Sequence, residues 1–119
     1  VKQLRAEGHR IGYVRPITLW PFPFDTVRDA ASTARVVGSF ELAAGQMVDD
    51  VRIAVAGQAP VEFIGGVSTD HSGFGVGRLL EVGEIRTRLL ALHEGRPQPQ
   101  IPGYEKFTYQ LQEHQETPA

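Results

Sequence analysis

The 119-residue chain has no cysteine, so on its own it can build neither a disulfide framework nor a thiolate site for zinc or an iron–sulfur cluster. It also lacks a charge excess. Twelve basic side chains stand against 14 acidic ones, which is not the electrostatic footprint of a protein that binds DNA, RNA or an anionic membrane. No apolar run approaches the roughly 20 residues of a membrane span, and the opening "VKQLRAEGHR" has no apolar signal core, so a soluble protein of the reducing cytoplasm is expected. There is a single Trp. Histidines 9, 71, 93 and 114 show none of the short spacings of a metal site and are expected on solvated surface.

What is present alternates between helical and strand periods. Val1 and Leu4 open a helix that Gly8 ends, and "RIGYVR" at 10–15 is an apolar, β-branched run that stops at Pro16. Asp25 is the expected N-cap of a helix with Val27, Ala30, Ala31 and Ala34 on one face, followed by a second strand over 35–41. "QMVDDVRIAVAG" reads as a helix with Met47, Val51, Ala54 and Val55 inward and Gly57 as its stop, and "VEFI" at 61–64 as the third strand. A last helix over 78–95 turns Leu80, Ile85, Leu89 and Leu92 inward, with Gly83 weakening its middle. This alternation with short connections predicts an α/β fold, a three-layer α/β/α sandwich on a mostly parallel sheet. The domain is expected over 1–95, with 96–119, rich in Pro, Gln and Glu, as an extended tail. Because the chain opens inside a helix, a first strand is expected upstream and the chain is expected to be a piece of something longer.

Candidate chemistry is sparse. "GFGVGR" at 73–78 lacks the third glycine of a dinucleotide loop and the Lys-Ser/Thr pair of a P-loop, and reads as a surface loop. Ser68, Asp70, His71 and Ser72 are too close in sequence to converge as a triad. Asp49 and Asp50 suit an exposed first turn rather than a paired-acid site. The segment "RPITLWPFPFD" at 15–25 differs in kind. Pro16, Pro21 and Pro23 restrict the backbone, so Trp20 and Phe22 are held with little entropy left to lose. Such a segment can plug the end of a core or dock a partner, and the sequence leaves both open.

"YVRPITLWPFP" followed by "FELAAGQMVDDVRIAVAGQAPVEFIGG" resembles the C-terminal part of the alpha subunit of 2-oxoacid:ferredoxin oxidoreductases, from Val1 to about Gly66 and again over 79–94. The resemblance implies a transketolase C-terminal-like domain lacking its first strand. It also implies a whole enzyme that decarboxylates a 2-oxoacid to an acyl-CoA and reduces ferredoxin. Thiamine diphosphate, Mg²⁺ and an iron–sulfur cluster would serve that enzyme with none held by this segment, so no catalytic, cofactor or metal residue is expected here. The partners implied are the other domains of the subunit and the thiamine diphosphate-binding beta subunit, with ferredoxin reached through the whole enzyme. Arg15, Thr18, Trp20, Phe22, Glu41, Gln46 and Met47 would share the carboxyl-end rim of the sheet and form the docking surface. A domain of another thiamine diphosphate enzyme, of the transketolase or 2-oxoacid dehydrogenase beta-chain type, and a free-standing interaction module are the competing readings.

Overall fold

The computed structural model describes residues 1–43, 45–65 and 80–98. In chain order these form α1 (Lys2–Ala6), α2 (Phe24–Ala31), β1 (Val37–Glu41), α3 (Met47–Val55), β2 (Val61–Gly65) and α4 (Val82–His93). β1 and β2 pair in parallel, with Val37 opposite Val61 and Glu41 opposite Gly65. The connection between them is α3, the crossover that parallel strands require.

The sheet separates two helical layers. Strand side chains alternate between faces. Val37 and Val61 turn to the face where Val27 and Ala31 of α2 pack with Val51, Ala54 and Val55 of α3. Phe22 joins that cluster from the loop ahead of α2. On the other face lie Ile64 and Gly38. A Cβ added to Gly38 would come within 2.7 Å of Ile64 Cδ1 and 2.9 Å of Leu92 Cδ2, so its bareness lets α4 settle close to the sheet. α1 shares this second layer, since Leu4 is buried and Glu7 meets Arg86 of α4 at 2.5 Å. An α/β fold with helices on both faces is therefore observed.

Several element expectations are corrected. The expected strand at 10–15 is not a strand: the segment runs without a ladder partner, and its own backbone contact is a bond from the Ile11 N–H to the His9 carbonyl at 3.1 Å. β-branched composition favours extended backbone, but only a neighbour makes it a strand. Asp25 is not the cap of α2. Pro23 holds that position, the helix opens at Phe24, and Asp25 in the first turn pairs with Arg28 at 2.7 Å. Proline costs nothing there because the first N–H groups of a helix lack partners. Ala30 is exposed instead of facing inward.

α3 stops one residue earlier than expected. Ala56 takes the left-handed conformation at φ 51° and Gly57 follows at φ 77°. Gly83 lies in the first turn of α4, where a capping box between Glu81 and Glu84 supplies the start. Its cost is accordingly smaller than that of a mid-helix glycine. The buried residues of α4 are Arg88 and Ala91, with Ile85, Leu89 and Leu92 of the helix and Leu80 ahead of it half-buried.

One glycine is obligatory. Gly65 ends β2 at φ 133°, and a Cβ there would lie 2.1 Å from the carbonyl oxygen of Glu41, its register partner. No side chain fits at that contact.

Candidate functional site

The carboxyl end of β1 is organised by one carboxylate. Glu41 is buried, and its side chain reaches forward along the chain to accept four backbone N–H groups. Oε1 accepts from Gly45 at 3.1 Å and Gln46 at 2.6 Å, and Oε2 from Met47 and Val48, both at 2.9 Å. These are the donors that the opening turn of α3 leaves without intrahelical partners, so Glu41 does the work of a cap from the preceding strand. The negative charge also meets the positive end of the helix dipole, reinforced by Asp49 and Asp50 in the first turn. Asp49 pairs with Arg52 at 3.0 Å and is exposed.

The proline-braced loop divides into an anchor and an exposed crest. Phe22 is 5% exposed and sits in the core cluster, with its ring edge-on to Phe24 at a centroid distance of 5.1 Å. Two residues earlier, Trp20 is 93% exposed, and Ile17 and Leu19 are 97% and 60% exposed. The Thr18 hydroxyl closes the crest by donating to the Pro21 carbonyl at 3.3 Å, and the Trp20–Pro21 peptide is cis. Tyr13 and Val14 extend the apolar surface upstream, so its large hydrophobics run from 13 to 20. Contiguous exposed apolar side chains of this kind mark contact surfaces.

The residues expected on one rim are thus divided. Arg15, Thr18, Trp20 and Gln46 are exposed. Phe22 and Glu41 turn inward, and Met47 is half-buried against the same core cluster that holds Phe22. Glu41, Gln46 and Met47 are joined by the carboxylate bonds. The sequence offered one sign of Glu41's role that went unread, an acid at a strand end just ahead of a glycine and a helix start. The glycine run at 73–78 and the polar group Ser68, Asp70, His71 and Ser72 lie outside the described residues, as do His71 and His114 among the histidines.

A second cluster joins α1 to α4. Arg86 donates to Glu7, and this hydrogen bond, partly opposed by desolvation and helped by the weaker attractions of Arg86 and His9, holds the Glu7 carboxyl below its ordinary value of 4.5. The same bond and charge raise the Arg86 guanidinium above its ordinary value. His9 and His93 are half-buried, not solvated as expected, and meet edge-on at 5.3 Å. Arg35 donates to the His93 carbonyl, tying the end of α4 to the chain before β1. Among the described residues no three His, Cys, Asp or Glu side chains converge as metal ligands, and no helix is long and apolar enough to cross a membrane.

Residues 1–73 match the family described as pyruvate:ferredoxin oxidoreductase core domain II. The chain is 44% identical over 64 residues to the ketoisovalerate oxidoreductase subunit VorB of Methanothermobacter thermautotrophicus, a match covering 54% of this chain and 18% of that protein. It is 41% identical over 64 residues to the 2-oxoglutarate synthase subunit KorA of Methanothermobacter marburgensis, covering 54% of this chain and 17% of that protein. The matched part is less than a fifth of the length of these relatives. No solved structure matches the chain.

Proposed function

The chain belongs to the pyruvate:ferredoxin oxidoreductase core domain II family, and from that premise we propose that it is the C-terminal docking domain of the alpha subunit of a 2-oxoacid:ferredoxin oxidoreductase. The whole enzyme would oxidatively decarboxylate a 2-oxoacid to its acyl-CoA and pass the electrons to ferredoxin. The relatives' printed substrates, ketoisovalerate and 2-oxoglutarate, set the class. With no cysteine in the chain and no convergent ligand group among the described residues, these residues do not fit an iron–sulfur cluster or the magnesium of thiamine diphosphate. Both belong in this reading to other domains and to the beta subunit. The domain's contribution is positional.

The observation that carries the reading is the exposed crest beside its buried anchor. Leaving Trp20, Ile17 and Leu19 in water sacrifices hydrophobic stabilisation, and that is repaid when a partner covers them. In this reading the exposed Arg15, Thr18 and Gln46 supply its polar groups, and Phe22 and Met47, packed in one core cluster, anchor it together with the buried Glu41.

Trp20→Ala tests this. Because the indole touches little of its own domain, the substitution is expected to cost the isolated chain less than about 0.5 kcal/mol. In the full-length subunit it should weaken assembly with the rest of the enzyme by roughly tenfold or more, the cost of losing a central aromatic anchor. Phe22→Ala should behave in the opposite way, costing the domain about 3 to 5 kcal/mol. If Trp20→Ala leaves assembly and turnover intact, the crest is not the docking surface.

A further inference from the structure

The arginines of this chain are mostly answered from within. Arg28, Arg52, Arg86 and Arg96 pair with carboxylates, Arg5 and Arg35 donate to main-chain carbonyls, and Arg88 is engaged as well. Arg10 and Arg15 are the exceptions among the described residues. Both are exposed, and neither meets a carboxylate or a carbonyl there. Arg15 interrupts the exposed apolar run between Val14 and Pro16, and Arg10 stands a few residues ahead of Tyr13. The sequence around them has no acid to spare. Glu7 is the one acidic residue of 1–24, against Lys2, Arg5, Arg10 and Arg15, and Arg86 of α4 holds it.

That pairing pattern constrains what can cover the crest. A surface that buries Ile17, Leu19 and Trp20 also takes water away from Arg15, and a guanidinium held out of water without an anion is strongly unfavourable. The covering surface must therefore bring its own negative charge. A second copy of the chain, meeting this one through the same patch about a two-fold axis, would set arginine against arginine. Anionic lipid is gripped by clusters of roughly four to eight cations, more than this run holds. A protein surface supplies carboxylates at fixed positions, which the planar guanidinium receives in two parallel bonds. Tyr, Trp and Arg are also residues that the buried centres of protein interfaces favour.

We propose that the crest docks into an apolar hollow on a neighbouring protein surface of the same enzyme, that the rim of this hollow carries carboxylates, and that Arg15, with Arg10, pairs with them. The inference rests on the reading that the crest is a docking surface, and adds the chemistry of what it meets. Trp20, Ile17 and Leu19 fill the hollow, and the guanidinium groups meet acid at its edge.

Carbodiimide coupling in the assembled, full-length enzyme tests it. The reagent joins an amine to a carboxylate in contact with it, taking up the water released as the amide forms, and leaves arginine untouched. In enzymes carrying Arg15→Lys or Arg10→Lys, peptide mass spectrometry should find position 15 or 10 coupled to an Asp or Glu of another domain or subunit. Coupling to Glu105, Glu113 or Glu116 would make the chain's own C-terminal residues the occupant, and coupling to a second copy of the chain would make it a self-association surface. Either result overturns the proposal, as does an assembled enzyme in which neither position couples. Binding of the full-length subunit to phosphatidylserine vesicles that is lost with Arg10→Gln and Arg15→Gln together would overturn it in favour of a membrane. In the assembly assay that double change should weaken association roughly tenfold at low salt and much less at high salt, where the charges are screened. Trp20→Ala alongside separates the two readings. Loss of assembly with Trp20→Ala but no salt-sensitive loss with the arginine changes keeps the docking surface and removes its acidic partner, whereas no loss with Trp20→Ala removes both.

Discussion

Glu41 is the residue on which the carboxyl end of β1 depends. Its carboxylate gathers four N–H groups in a setting where at least part of the network is shielded from water. Charge-assisted bonds of this kind contribute about 1.5 to 3 kcal/mol when lost, and a missing helix cap about 1 more. Glu41→Ala is expected to destabilise the fold by about 3 kcal/mol in urea unfolding. Glu41→Gln should recover only part of this, because one carbonyl oxygen remains as acceptor while the amide presents N–H to N–H. Equal stability of all three proteins would show that water replaces the carboxylate freely. The sequence located Glu41 correctly at a strand end but not the direction of its side chain. That direction is set by where the start of α3 lies relative to the end of β1, for which composition holds no periodic signal. The same applies to Phe22 and Trp20: two aromatics in one proline-braced run gave a choice between plug and dock, and the fold buries Phe22 and leaves Trp20 exposed.

At the level of elements, helices were legible where an apolar stripe recurs, as in α3, whose Val51, Ala54 and Val55 are buried as their spacing requires. α4 was legible as a helix but not in its burial, because Arg88 takes a buried position that hydropathy assigns to solvent. The run at 10–15 was misread because strand periodicity describes a segment's fitness for pairing and is silent about whether a neighbour exists. The junction of α1 with α4 carries a pH signature. The Glu7 carboxyl is held below its ordinary 4.5 by the bond from Arg86, so the pair stabilises the folded state above pH 4.5 and that contribution fades as pH falls through the lower folded value. Both side chains are substantially exposed, so the effect is small and sensitive to salt. Glu7→Gln should lower the melting temperature slightly near neutral pH, and the difference should shrink as the pH falls below 4.5, judged by thermal unfolding across pH. A difference that persists undiminished at low pH would assign the loss to packing.

For the molecule as a whole, a single Trp makes the proposed docking surface directly observable. Trp20 is 93% exposed, so the isolated chain should emit like indole in water and shift to the blue when the domain is joined by the rest of its enzyme. Blue emission from the isolated chain that reddens only on denaturation would mean that Trp20 is already covered. The carboxyl end of β1 is organised differently from that exposed crest. In open α/β folds the carboxyl ends of the strands, facing helix N-termini, are where phosphates and carboxylates of ligands are received. Here the amides at the start of α3 already hold an anion, and it is the chain's own. The domain is in this respect self-liganded: a free phosphate would have to displace a tethered carboxylate that needs no diffusion to return.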